Sequence, residues 1–220
     1  STLDYFFRGT GHVRGGIGVL ARGLADAITR RGGVVRMTDD VERVETSADG
    51  GVVATRRGVV RARHAVLNVL PAAARRLTGT RPGTSRRLDA LERAVARSWG
   101  ACMLYVVVRD PPGGDAAPFH VQIVQDASAP LLEGNLLFAS FGEPTRDGTR
   151  SVTVSTHVRM EPLLATGAAG RATRIRAVQD RMREGLARFL PTWWSDRVYE
   201  APASPRTFER FTGRTHGYVG

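Results

Sequence analysis

The chain has 220 residues, 42% of them hydrophobic and 24% charged, enough for one large domain or two modest lobes with real cores. Its single cysteine, Cys102, excludes an intrachain disulfide and a thiolate metal cluster, which fits a reducing, cytoplasmic setting. The net charge of +11 raises nucleic acid as a partner, but all 32 basic residues are arginine and they are scattered in pairs such as Arg30-Arg31 and Arg86-Arg87. No nucleic-acid-binding motif accompanies them, so attraction to anionic lipid is the better use of the charge.

The first strong local feature is the glycine-rich stretch at residues 9–18. Gly16-x-Gly18-x-x-Ala21 formally matches a dinucleotide fingerprint, with Asp39 or Asp40 about 20 residues on. Thr10-Gly11-His12-Val13-Arg14 is too polar for the buried strand that must precede such a fingerprint. The better reading is a glycine pair, Gly15-Gly16, at the entry of a helix, where backbone passes close to something flat. Leu20, Leu24 and Ile28 form that helix's apolar stripe, and Gly32-Gly33 end it. Strands are expected at residues 34–37 and 41–46, a hairpin turn at Asp49-Gly50-Gly51, strands at 52–55 and 59–62, and a buried strand at 64–69.

A different texture begins at Pro71. Short helices are expected at residues 72–77 and 85–97, then four strands at 101–108, 119–125, 135–141 and 151–157. Pro111-Pro112-Gly113-Gly114, Ala129-Pro130 and residues 144–148 punctuate the strands. A long amphipathic helix is expected at 171–190, apolar through Ile175, Val178, Met182, Leu186 and Phe189, and basic through Arg174, Arg181 and Arg188. A helix lying on a sheet explains this pattern more simply than a membrane-surface helix. No apolar run reaches the roughly 18 residues of a membrane span. The amino-terminal residues lack the basic and apolar regions of a secretory signal. The five histidines show no ligand spacing, so no metal is expected.

The order of these features resembles the phytoene and carotenoid desaturases, FAD-dependent members of an amine-oxidase-like superfamily. Arg14-Gly15-Gly16-x-x-x-Leu20-x-x-Gly23-Leu24 resembles the family's Gly-Gly-x-x-x-Leu helix start. Val41-Glu42-Arg43-Val44 resembles the strand before its meander, and Ala65-Val66-Leu67-Asn68-Val69 the strand returning to its flavin domain. Ser98-Trp99-Gly100-Ala101 opens what looks like the substrate-domain sheet. Most specific is Ser204-Pro205-Arg206-Thr207-Phe208-Glu209-Arg210-Phe211-Thr212-Gly213-Arg214, similar to a Thr-Pro-x-Thr-x-Glu-Arg-(Phe/Tyr)-Thr-x-Arg segment of that family.

The resemblance implies an α/β (α+β) architecture. A partial FAD-binding domain would occupy residues 1–70, a substrate domain with an antiparallel sheet backed by helices 71–205, and a return toward the flavin domain 206–220. The family's opening βαβ unit and its last flavin segment are expected outside this sequence. The implied cofactor is FAD, with Gly15 and Gly16 near the flavin or substrate, the Val41 backbone at the adenine and Asn68 at the edge of the flavin site. Val41 as a plain core residue and Asn68 as a satisfier of neighbouring backbone fit the residues equally well. The implied substrate is a carotenoid or other isoprenoid, and the implied location cytoplasmic or peripheral at a membrane. An amine- or porphyrinogen-oxidase-type flavoenzyme and a non-catalytic isoprenoid- or partner-binding remnant stay open as alternatives.

Overall fold

The structure, a computed structural model, describes residues 13–47, 50–110 and 117–219. Residues 9–12 of the glycine-rich stretch, Asp49 of the expected hairpin turn and the 111–114 punctuation lie outside them. The chain forms two compact units that divide after Asp40. In the first unit, helix α1 (Ile17–Arg30) forms as its leucine spacing predicts, and Arg31 with the positive-φ Gly32 closes it. Its stripe is bare: Ile17 is 74% exposed, and Leu20, Leu24 and Ile28 are exposed too. The strand expected at 34–37 does not form, and Val34 and Met37 stand in solvent. A strand exists only where a neighbour takes its backbone hydrogen bonds, and among the described residues this segment has none.

The second unit opens with an antiparallel meander of β1 (Val41–Ser47), β2 (Gly50–Thr55) and β3 (Gly58–Ala62), in that order. Val44, Val53 and Val60 lie side by side across it. Helix α2 (Pro71–Thr78) packs against β1, and Val44 and Leu77 are both buried. Helix α3 (Arg86–Ala96) starts on Ser85, whose hydroxyl accepts the Leu88 amide at 3.3 Å. Arg75 joins the two helices with a fork onto Glu92 at 2.9 Å and a contact to Asp89 at 2.5 Å. The strand expected at 64–69 is irregular backbone, and Val66 is 95% exposed. Its apolar composition is real, but no strand among the described residues pairs with it.

The main body is a five-stranded antiparallel sheet of β4 (Trp99–Arg109), β5 (Phe119–Val124), β6 (Leu136–Pro144), β7 (Thr149–Arg159) and β8 (Arg197–Ala203). Their spatial order is β5-β6-β7-β4-β8. Period-two alternation sends Cys102, Leu104, Val106 and Val108, with Val152, Val154 and Val158, to one face. On that face lie α4 (Met160–Leu164), α5 (Ala168–Phe189) and α6 (Pro191–Ser195). Helix α5 inserts Val178, Met182 and Leu186 into the core, the helix-on-sheet arrangement its periodicity predicts. Its close approach comes at Gly185, where a Cβ would lie 2.9 Å from Leu137 Cδ1 and 2.8 Å from Gln125 Nε2.

Arg150, also on the core face, is 1% exposed. Its guanidinium pairs with Asp110 at 2.9 Å, donates to the Ala117 carbonyl at 3.1 Å and lies over the Phe119 and Trp193 rings. The chain ends in α7 (Pro205–Thr212) and a short 3₁₀ turn, Thr215–Gly217. The mixed α/β (α+β) class, with an antiparallel sheet backed by helices, is the one expected from the sequence.

Candidate functional site

The glycine pair sits where a helix entry requires it. Gly15 and Gly16 have φ of +78° and +84°, a left-handed backbone that side chains rarely adopt. Val13–Gly16 close as a turn, with the Gly16 amide donating to the Val13 carbonyl at 2.8 Å. Gly16 is the N-cap of α1 and supplies no side chain to cap it; the Val19 amide donates to the Gly16 carbonyl at 3.1 Å, which leaves the Ile17 and Gly18 amides without a capping side chain. A Cβ at Gly16 would meet nothing within 4 Å. This donor set fits an anionic or flat polar group such as part of a dinucleotide. Of the other candidates, Val41 opens β1 on the outer edge of the meander and is partly exposed, not a core valine. Asn68 is exposed in the irregular segment before α2. The glycines thus belong to one unit, and Val41 and Asn68 to the other.

The second feature is the sheet face opposite α5. Residues directly paired across an antiparallel ladder point the same way, so the register fixes this face. Met103, Tyr105 and Val107 of β4 stand beside Ser155, Thr153 and Ser151 of β7. Phe138 and Ser140 of β6 continue the row, and Ala201 and Tyr199 of β8 flank it on the other side. His120 stacks on Phe138 with ring centroids 5.1 Å apart. Tyr105 is 43% exposed and Tyr199 59%. Aromatic, aliphatic and hydroxyl groups make up the centre of the face, and no carboxylate stands among these paired positions.

The third feature lies where the start of α2 meets the short 3₁₀ turn. Leu70 and Pro71, at the start of α2, line a cavity of about 280 Å³ together with Thr215, His216 and Tyr218. The Val219 amide donates to the Trp99 carbonyl at 2.9 Å, which ties this end to the first residue of β4. Gly217 holds the corner at φ +69°, and a Cβ there would collide with the Pro205 carbonyl. Burial, with the Glu161 charge added, raises the Tyr218 pKa, so its phenol stays a neutral hydrogen-bonding group through the physiological range. Cys102 is fully buried in the core and is no nucleophile: desolvation first, then the Glu133 charge, push its thiol up to about 12. Neither the hydroxyl face nor this convergence was singled out from the sequence. The alternation in residues 151–157 carried the signal for the first, whereas nothing local could reveal the second.

The profile of the family described as flavin containing amine oxidoreductase matches residues 2–204. The chain belongs to that family. Its cofactor is accordingly the flavin expected from the sequence, FAD. Among curated proteins none matches the chain.

Solved structures agree in fold. An oxidoreductase from Methanosarcina mazei superposes with a TM-score of 0.55 at 14% identity, over 86% of this chain and 42% of its own. A putrescine oxidase double mutant, redesigned in cofactor binding, gives 0.52 at 15%, over 86% and 38%. Cyclohexylamine oxidase from Brevibacterium oxydans IH-35A gives 0.51 at 19%, over 93% and 40%. The chain therefore spans about two fifths of the length of these three structures.

Proposed function

We propose that this chain is part of an FAD-dependent oxidoreductase that dehydrogenates an extended isoprenoid, a carotenoid or a relative of one. The carrying observation is the chemistry of the open sheet face, where Met103, Tyr105, Val107, Phe138 and Tyr199 stand among serine and threonine hydroxyls with no carboxylate between them. A protonated amine laid on this face would lose its water without a counter-ion, a cost of several kcal/mol. A neutral polyene brings no charge to desolvate and gains apolar contact with Met103, Val107, Phe138 and the tyrosine rings. The Ser204–Arg214 segment that resembles carotenoid desaturases supports the same substrate.

FAD bound beside such a chain would supply the two-electron acceptor for a hydride from one carbon, while the allylic proton of its neighbour is lost to solvent and the C–C bond between them becomes double. The protein's own residues bind, orient and exclude water. Gly15 and Gly16 present bare backbone and α1 amides toward the flavin, the Val41 backbone is proposed to contact the adenine, and Asn68 to stand at the edge of the flavin site. Residues 1–70 are proposed as part of the flavin domain, residues 71–205 as the substrate domain, and 206–220 as the return. In support, Leu70 and Pro71 line one cavity with Thr215, His216 and Tyr218. They would then form a single crossing between the two domains.

Collection of the substrate from a lipid surface is part of the proposal, although no helix among the described residues is long and apolar enough to cross a membrane. The apolar stripe of α5 does not supply the lipid contact, since Val178, Met182 and Leu186 face the sheet and Arg174 pairs with Glu133 at 2.7 Å. Amine oxidation is the second reading, favoured by the family and by the amine oxidases among its fold relatives. Expression of the gene carrying this chain in cells that make an acyclic carotene, with pigment analysis, separates the two. New, longer chromophores are expected. Unchanged pigments together with turnover of an amine would overturn the proposal, and activity on neither would leave the binding remnant.

A further inference from the structure

On the side of the sheet away from the open face, α4, the first half of α5 and α7 enclose a groove of about 700 Å³. That lies within the roughly 300–1,000 Å³ of small-molecule sites. Its floor is apolar: Met160 and Leu163 are buried, and Leu164 and Ile175 are half-buried. Its rim is basic, with Arg171 and Arg176 on α5 and Arg206 on the first turn of α7. Arg171 is fixed in place, donating to the Thr166 carbonyl at 2.7 Å, and Arg176 reaches only the Thr173 hydroxyl, at 3.3 Å. Among the described residues no carboxylate pairs with any of these three arginines. Glu209 is the single carboxylate in the lining, and it already accepts the His216 amide at 2.8 Å.

An apolar trough under a cluster of guanidiniums without counter-ions has one complementary shape of ligand. We infer that this groove binds a free single-chain amphiphile with an anionic head, a carboxylate or a phosphate, whose tail lies on Met160, Leu163, Leu164 and Ile175. Arg176 and Arg206 take the head with charge-assisted hydrogen bonds, and Arg171 orients it. The site does not depend on the open sheet face or on flavin, so it stands or falls apart from the proposed reaction.

Titration calorimetry of the whole chain with monomeric octanoate, decanoate and dodecanoate, and with dodecanol, tests this. Affinity should rise roughly fourfold per added methylene, and dodecanoate should outbind dodecanol roughly tenfold or more. The double variant Arg176→Ala, Arg206→Ala should remove most of that preference and leave dodecanol unchanged. Ala172→Phe, on an exposed position of the lining, should block both ligands while circular dichroism stays unchanged. A second arm uses phosphatidylcholine vesicles with and without phosphatidylglycerol. Binding to anionic vesicles alone, with none to monomeric dodecanoate, would show surface adsorption and overturn the site. Equal affinity for the alcohol and the carboxylate would overturn it too. So would binding that survives Ala172→Phe, which would place the ligand on other apolar surface such as the bare stripe of α1.

Discussion

Arg150 carries a full charge at 1% exposure, and it is tolerable because Asp110, the Ala117 carbonyl and two aromatic faces replace its water. Removing the partner leaves that charge buried alone. Asp110→Ala should therefore cost about 3–5 kcal/mol, read as a lowered urea midpoint, while Arg150→Met with Asp110→Leu should recover most of it. Cys102 gives a prediction in pH. Its ordinary thiol value is 9.0, and burial in the fold pushes it to about 12. Above pH 9 the unfolded chain loses the thiol proton while the folded chain keeps it. Stability is thus untouched below pH 9 and falls by about 1.4 kcal/mol per pH unit as pH rises toward 12. Cys102→Ala should flatten that part of the denaturation profile, and the wild-type thiol should resist disulfide reagents until the protein unfolds. Neither residue could be read this way from its neighbours. Thr149-Arg150-Ser151 looks like an ordinary strand with one face in water, and only the pairing of β7 with β4 and β6 turns Arg150 inward.

Elements differ in how far their sequence announces them. Helix α5 and strands β4 to β7 were legible because their apolar periods, 3.6 and 2.0, run long enough to be unambiguous. Strand β8 was not, since Pro202 argues against a strand. It is an edge strand, bonded on one side to β4, which is the place where proline is allowed. The strands expected at 34–37 and 64–69 failed for the opposite reason: their composition suits a strand, but pairing is a property of two segments. Glycines within helices separate in the same way. Gly185→Ala should lower stability by about 1–3 kcal/mol, because the added methyl meets Leu137 and Gln125. Gly23→Ala, where a Cβ meets nothing within 4 Å, should instead raise the helicity of α1 by up to about 1 kcal/mol. Circular dichroism melting of the two variants gives both signs in one experiment.

At the scale of the whole molecule, flavin binding is the open quantity. Gly15 and Gly16 lie in one compact unit, and Val41 and Asn68 in the other. A single helix entry offers few of the backbone donors that usually cradle a dinucleotide's pyrophosphate. The 220-residue chain on its own is therefore expected to purify nearly colourless, with far less than one FAD released per chain on denaturation. A yellow preparation with stoichiometric flavin would show that these residues suffice. The bare stripe of α1, Ile17, Leu20, Leu24 and Ile28, should bind a hydrophobic dye, and Leu20→Glu with Leu24→Glu should abolish most of that signal.

The sequence by itself determined the class of the fold, the positions of the long helices and central strands, the glycine pair at a helix entry and the flavin resemblance. Each of these is written in local periodicity or in a short motif, where neighbouring residues carry the information. Tertiary structure alone decided that the paired positions around Tyr105, Thr153 and Tyr199 carry no carboxylate among the described residues, and that Leu70 and Pro71 line one cavity with Thr215, His216 and Tyr218. It also decided that Arg171, Arg176 and Arg206, from two helices separated in the chain by α6 and β8, line one apolar groove. Strand register and helix packing join residues far apart in sequence, and no period within a single segment records which distant segment it will meet.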